Sequence, residues 1–373
     1  MKSPRVRVLH VIQNLNYGGM ERVLFDLVSR SDRDRFEMHV LCLEYLGRFA
    51  EGLDGAAELH VAAPMGRLSF IRPTSLANEM ARIAPSIVHT HSGVWYKGSL
   101  AAKLSRVPTI VHTEHGRQHP DPLSSRVIDG LAARRTDAIV AVSERLASDL
   151  PGLLRAEPQR VVFIPNGIDT EAHRPRTDNG ALRRELGIAS ETPIVGSIGR
   201  LESIKAYELM VEAFARFVDT DVGRNAALVI GGEGRSRQSI EQTVEQHGLR
   251  GRVHLLGWRN DISDLHAAFS VFTLSSKSEG TSISLLEAMS AGVPPVVTDV
   301  GGNAAVLGPA LADRLVPFGD PSALAAAWGK VLATPLARTS VSNLARERVL
   351  SAFGLDRMTR AYEDLYLSRV SKR

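Results

Sequence analysis

Short apolar runs alternate along the chain with longer amphipathic stretches, and these two periods separate strand from helix. In the first half the runs predict strands at Arg5–Ile12, Glu37–Leu43, Leu59–Ala63, Ser86–His89, Thr109–Thr113, Ala138–Val142 and Val161–Ile164. Gln13–Tyr17 reads as a polar loop, and Gly18-Gly19 opens a helix running to Ser29. Further helices are predicted over Tyr96–Ser105, Pro122–Arg135 and Glu144–Leu150, with Leu68–Ile83 helical in part. The alternation breaks at 171–190, a polar stretch with Pro, Gly and charges that reads as a linker, and then restarts. Strands follow at Ile194–Ser197, Ala227–Ile230, Val253–Leu255, Ser270–Leu274, Val293–Thr298 and Arg314–Val316. Between them lie helices Ala206–Val218, Arg237–His247, Ile262–Phe269, Ile283–Met289 and Pro321–Leu332; Leu344–Phe353 and Asp356–Ser368 close the chain. Strands alternating with helices predict an α/β protein with two Rossmann-like, doubly wound parallel sheets. The expected domains are 1–170 and 191–350, joined by the linker, with 351–373 as a final helix.

Composition narrows the class. At 373 residues the chain has room for two cores. A net charge of +4, from 45 basic and 41 acidic residues, is too balanced to argue for nucleic acid, and no nucleic-acid motif is present. Cys42 is the single cysteine and lies in a predicted strand, which reads as core rather than redox or metal chemistry. No run approaches the roughly 20 apolar residues of a spanning helix. The start of the chain reads as a first strand rather than a signal peptide. The expected location is cytoplasmic, with peripheral contact at the inner face of a membrane as an extension.

The chemistry concentrates in Ser275–Gly302. A polar loop there runs into an apolar helix that Ser282 can cap, because its hydroxyl accepts a bond from an unpaired backbone N–H. A helix start just after a strand is an anion site, since free N–H groups and the helix dipole point out together. Glu279 and Glu287 flank it, seven residues apart. Ionised carboxylates only accept hydrogen bonds, so sugar or ribose hydroxyls fit them. Arg200 and Lys205 follow the first strand of the second half, in GRLESIK. Cations near a helix start oppose its dipole, and a bound diphosphate would resolve that conflict. In the first half, His91 and His115 end neighbouring strands, in VHTHSG and VHTEHG, where ligands bind in open α/β sheets. The directions of His89 and His112 are open. A metal reading of these histidines is weak, because no set has standard ligand spacing. Asp32-Arg33-Asp34 and Asp219-Thr220-Asp221 match D-x-D by chance placement at element ends.

The spacing of Glu279 and Glu287, with Gly280 and the Leu-Leu-Glu-Ala-Met run, resembles the E-x7-E signature of family-4 glycosyltransferases. Arg200–Lys205 resembles the same family's G-R-L-x-x-x-K motif, and Asn166-Gly167-Ile168-Asp169 its N-G-[IV]-D turn. The resemblance implies retaining enzymes of the GT-B fold, with two Rossmann-like domains facing a central cleft. It implies catalytic roles for His115 and Glu279. Donor binding falls to Gly19, Arg200, Lys205, Arg259, Gly280, Thr281, Ser282, Ile283 and Glu287, with Gly18, His91 and Asn166 as candidate acceptor or sugar contacts. The donor would be a UDP- or GDP-sugar, the acceptor a glycan or polyprenyl-linked molecule in surface polysaccharide or glycoconjugate synthesis, with no metal and no further cofactor. The last helix would cross back to the first domain.

Two departures touch donor identity. Thr281-Ser282 stands where the family often has aromatic-Gly, and Ala304-Ala305 follow Asn303 where it has an acid. A sugar-nucleotide epimerase of the same fold and a non-catalytic sugar-nucleotide binder are the alternatives. A nicotinamide oxidoreductase is disfavoured, because G-x-G-x-x-G is missing from both halves.

Overall fold

The computed structural model describes residues 5–16, 18–116 and 122–371. Tyr17 of the predicted loop and residues 372–373 of the predicted tail lie outside the described residues. The chain divides into two units: one is 1–167 with 355–373, the other 168–354.

The first unit is built on strands β1 (Val6–Asn14), β2 (Phe36–Tyr45), β3 (Glu58–Val61), β4 (Ile87–His91), β5 (Thr109–Glu114), β6 (Ala138–Ala141) and β7 (Val161–Phe163). They form one parallel sheet in the order β3-β2-β1-β4-β5-β6-β7. A strand covered on both faces must be apolar nearly throughout. β6 obeys, with every residue of AIVA buried. β4 (IVHTH) and β5 (TIVHTE) do not, although both are buried along their whole length. Their polar side chains must therefore find partners inside the protein.

The second unit carries β8 (Ile194–Ile198), β9 (Ala227–Gly231), β10 (Val253–Gly257), β11 (Val271–Leu274), β12 (Pro295–Thr298) and β13 (Leu315–Val316). They are parallel too, in the order β10-β9-β8-β11-β12-β13. Each sheet reverses direction once: between β1 and β4 in the first, between β8 and β11 in the second. Ligands of open α/β sheets bind beyond the carboxyl ends of the strands at such a switch point.

The stretch 171–190, expected as a linker, is part of the second unit. It holds a helix, Ala181–Leu186, whose Leu182 is buried against a core that includes Ile194 and Phe269. Its polar composition misled because Leu182, Leu186 and Ile188 suffice to dock it, and Arg183 ties it down through Asp178 at 2.8 Å and the Thr192 carbonyl. Two further helical boundaries differ. Pro335–Ala352 starts nine residues before the expected Leu344, with Thr334 as its cap on the Ala337 N–H. Asn303–Leu307 forms a short helix that the sequence pattern does not announce.

The terminal helix, Leu355–Val370, packs within the first unit. Its Glu363 accepts from the Asp32 backbone N–H at 2.8 Å, and Tyr362 and Tyr366 are fully enclosed. Cys42 is buried. No described helix is long and apolar enough to cross a membrane.

Candidate active site

In the second unit, the loops after β8 and β11 flank the switch point. After β8 the chain passes Gly199 and Arg200 into a short 3-10 turn, Ser203–Lys205. After β11 it runs through Ser275–Thr281 to Ser282, whose hydroxyl accepts from the Leu285 N–H and caps helix Ile283–Ser290 as expected. The two loops are stitched together. The Lys277 N–H donates to the Ile204 carbonyl at 2.8 Å, and the Ser275 hydroxyl reaches the carbonyls of Lys205 and Ala206 at 2.9 Å.

Across that seam, Lys205 Nζ sits 2.7 Å from Glu279 Oε1, with both side chains largely buried. The Ser276 hydroxyl donates to the same oxygen at 2.6 Å. The Glu279 backbone is gripped from behind: the Gly302 N–H donates to its carbonyl. Gly301, at a φ of +54°, leaves no room for a side chain, since a Cβ there would lie 1.7 Å from that carbonyl oxygen. Only glycine tolerates both the conformation and the approach. A comparable constraint holds the neighbouring turn, where a Cβ on Gly232 would lie 1.9 Å from the Gly199 carbonyl oxygen.

Arg200 is exposed and has no ion-pair partner among the described residues, so its guanidinium can meet an anion. Gly280, next to Glu279 in the chain, is partly exposed, while Thr281 and Ser282 are buried at the helix start. Ile283 is the first helical residue. Glu287 is buried in the second turn of the helix, and His173 Nε2 lies 3.4 Å from its carboxylate. Sequence reading missed His173, because it lies in the segment taken for a linker. Arg259 is already committed: its guanidinium spans Asp261 at 2.8 Å and Glu185 at 2.7 Å, and these bonds raise its pKa further. A ligand would have to share that fork.

In the first unit, Gly18 caps helix Gly19–Arg30 without a side-chain bond, and the Glu21 carboxylate packs against it. Asn166 is buried just beyond β7. The histidines form a connected row. Parallel register sets His10 of β1 beside His89 of β4, and His91 beside Thr113 of β5. His10 Nδ1 is 3.2 Å from His91 Nε2, and His91 Nδ1 is 3.1 Å from His115 Nε2. His89 spends both nitrogens, on the Tyr366 hydroxyl and on Thr113, each at 2.7 Å; Thr113 in turn meets the Tyr362 hydroxyl at 3.1 Å. His112 points the other way, stacked 3.7 Å from Trp95.

Burial, rather than any neighbouring charge, drives the His10 pKa down to about 3 and that of His115 to about 4. His89 and His91 are lowered by burial first, His89 then by His10 and His91 then by His89. The row is therefore neutral at pH 7. Each ring contributes one N–H and one lone pair, so the protons of all three point the same way along it. His115 Nδ1, at the end, has no partner among the described residues. It is a donor in one polarity and an acceptor in the other, and both suit a hydroxyl. His91 has no nitrogen left for a ligand and reaches one only through His115.

Ring nitrogens of His10, His89 and His91 do come within 4.8 Å of one another, which the spacing along the chain does not announce. A metal there would have to displace partners of His89 and His91, whose ring nitrogens are all engaged; His10 Nε2 has none among the described residues.

Two family models match the chain: Glycosyltransferase Family 4 over residues 17–172, and Glycosyl transferases group 1 over residues 178–348. The UDP-Gal:alpha-D-GlcNAc-diphosphoundecaprenol alpha-1,3-galactosyltransferase of Escherichia coli is 26% identical, with 99% of each chain covered. The N-acetyl-alpha-D-glucosaminyl L-malate synthase of Bacillus anthracis is 27% identical over 78% of each. Among solved structures, Anabaena HepE in complex with UDP and glucose superposes with a TM-score of 0.84 at 20% identity, covering 98% of this chain and 100% of that one. WaaG, a glycosyltransferase involved in lipopolysaccharide biosynthesis, gives 0.77 at 19% identity, covering 96% and 99%.

Proposed function

The chain belongs to the family-4 glycosyltransferases of the GT-B fold, and from that premise we propose a retaining enzyme that moves a sugar from a UDP- or GDP-sugar onto a glycan or polyprenyl-linked acceptor. The observation that carries the reading is the Lys205–Glu279 pair, held across the seam between the two loops of the β8/β11 switch point. Lys205 holds the Glu279 carboxylate in place at 2.7 Å and would also meet a second anion. A diphosphate would lie against Arg200, Lys205 and the N–H groups that open helix Ile283–Ser290. Glu287 would accept the ribose hydroxyls and Glu279 those of the transferred sugar.

As the sugar departs, negative charge grows on the diphosphate. Fixed cations and backbone N–H groups stabilise it most where it develops. This supports transfer without a divalent metal. His115 would contact a hydroxyl near the reacting bond, its tautomer set by the histidine row. A surface polysaccharide or glycoconjugate role rests on the lipid-linked sugar in the E. coli relative's name.

Membrane contact is part of the proposal. Leu123, Val127 and Leu131 are exposed at four-residue steps on helix Leu123–Ala133, with Arg126 and Arg134 beside them, a pattern suited to anionic lipid.

The test offers purified enzyme UDP-galactose, UDP-glucose, UDP-N-acetylglucosamine or GDP-mannose with a diphosphate-lipid-linked N-acetylglucosamine acceptor, in chelator. The product's anomeric configuration is read by NMR. The expected product keeps the donor's α configuration. An inverted linkage would remove the retaining assignment, and transfer only on addition of Mg²⁺ or Mn²⁺ would remove the metal-free one.

A further inference from the structure

Strands β2 and β3 each carry Glu-x-His: Glu37-Met38-His39 and Glu58-Leu59-His60. A strand's period of two puts each Glu and His on one face. Parallel register pairs His39 with Glu58 and Leu41 with His60, so the four side chains share that face at the sheet's edge. We infer that His39, His60 and Glu58 form a binding site for a Zn²⁺-like divalent cation, unrelated to the transfer site.

The distances carry the case. His39 Nδ1 and His60 Nε2 are 3.1 Å apart, and the Glu58 carboxylate lies 3.6 Å from the first and 3.8 Å from the second. A tetrahedral ion with bonds of about 2.0–2.1 Å separates its ligands by about 3.4 Å, which these spacings bracket. The outward nitrogens face carboxylates as well. His39 Nε2 is 3.0 Å from Glu37 Oε1, and His60 Nδ1 is 3.9 Å from Glu79 Oε1 on helix Thr74–Ile83. An outer carboxylate within hydrogen-bond reach, as Glu37 is for His39, fixes the tautomer and orientation of a metal-bound imidazole.

Proton counting points the same way. With the His39 N–H turned outward to Glu37 at 3.0 Å, its Nδ1 turns a lone pair inward, toward His60 Nε2 and the Glu58 carboxylate. A single proton on His60 Nε2 would bridge the two rings at 3.1 Å but would leave the nearby Glu58 carboxylate without a donor from either ring. A cation at the centre replaces that one proton and meets both ring nitrogens and the carboxylate together. The rings are buried, at 4% and 9% exposure, while the Glu58 side chain is 65% exposed. The ion thus has an entry path and room for a water as fourth ligand. Two imidazoles and one carboxylate favour Zn²⁺ over Mg²⁺ or Ca²⁺.

The site sits in the first half of β2 and at the start of β3, away from the carboxyl ends that carry the transfer chemistry. Its effect would be to clamp a four-residue edge strand to its neighbour.

Untagged, chelator-stripped protein is titrated with Zn²⁺ against a chromophoric chelator, and its melting is followed with and without the metal. One Zn²⁺ per chain and a rise in Tm of several degrees are expected. Co²⁺ should give the d–d absorption of a tetrahedral site. Glu58→Gln, at an exposed position that the fold tolerates, and His60→Gln should each weaken binding at least about 10-fold, and Glu37→Gln about 10-fold through the outer shell. Absence of Zn²⁺ binding to the parent would overturn the inference. So would undiminished binding in folded Glu58→Gln and His60→Gln proteins. Sugar transfer, with whichever donor the enzyme uses, should be unaffected in all three variants, so this result and the donor-site reading fail separately.

Discussion

Replacing Lys205 separates two roles that the structure gives it. Its ammonium and the Glu279 carboxylate are 2.7 Å apart, with side-chain exposures of 18% and 8%. At that distance and an effective dielectric of about 20, the attraction is about 6 kcal/mol before the cost of desolvating both groups. What a mutation reveals is the cost of a stranded partner, about 3 kcal/mol for a buried pair. The Ser276 hydroxyl still donates to Glu279 and offsets part of this, so Lys205→Met should lose about 2–3 kcal/mol. For a unit of this size each kcal/mol moves Tm by about 2–4 °C, which predicts a drop of roughly 4–12 °C. Glu279→Gln alone should cost only about 1 kcal/mol, because the more exposed Lys205 can turn to water. In the double variant no charge is stranded, so most of the loss should return, with a coupling of about 2 kcal/mol. Donor binding should follow a different order. UDP affinity by calorimetric titration falls in Lys205→Met and in the double variant and holds in Glu279→Gln, since of this pair only Lys205 would meet the diphosphate. Adding Arg200→Ala should abolish it. A Lys205→Met protein that melts and binds UDP like the parent would refute both the strain and the phosphate role.

His115→Ala should lower kcat by about 10²-fold while UDP affinity barely moves, because the diphosphate ligands remain; parent-like turnover in a folded protein would make His115 structural. His91→Ala should act through His115 and be milder, with a kcat loss and no change in UDP affinity. Acid should destabilise both units. His10 and His266 are buried with pKa values near 3, so below about pH 6.5 the unfolded chain takes up their protons first, and stability falls from there toward pH 3. At pH 5 the loss is about 2 kcal/mol per histidine. His266 lies among Phe269 and Phe272 with neither nitrogen bonded among the described residues, so His266→Phe should flatten the melting profile between pH 7.5 and 5; an unchanged slope refutes this. Finally, the protein should co-sediment with anionic liposomes at low salt and release at high salt, and Leu123→Ser with Val127→Ser should abolish it; no sedimentation at low salt retires the membrane contact.

The sequence by itself determined what is local. Strand and helix alternate as the periods predict, and Ser282 caps its helix because capping needs only the residues that follow it. The parallel sheets also follow, since a strand–helix–strand unit has few other ways to bury its apolar faces. Strand ends and glycine turns placed Arg200, Lys205, Glu279 and His115 on carboxyl edges. Composition, however, misread 171–190, where a few apolar residues in a polar stretch were enough to dock a helix and bring His173 to Glu287.

What the tertiary structure alone decided is which of these groups meet. Lys205 and Glu279 are 74 residues apart and become partners because β8 and β11 are neighbours in the sheet. His10 drew no notice inside an ordinary-looking strand, yet β1 and β4 adjoin, and it joins His91 and His115 in one row. The paired Glu-x-His segments of β2 and β3 had a visible signal, the same motif at two consecutive strands, although Glu58 lies just before the predicted Leu59–Ala63 and joins β3 only in the structure. Its meaning still depended on register: a slip of one residue would turn one pair to the opposite face. Pairing and register are set by the packing of the whole core, and no short window of sequence contains that information.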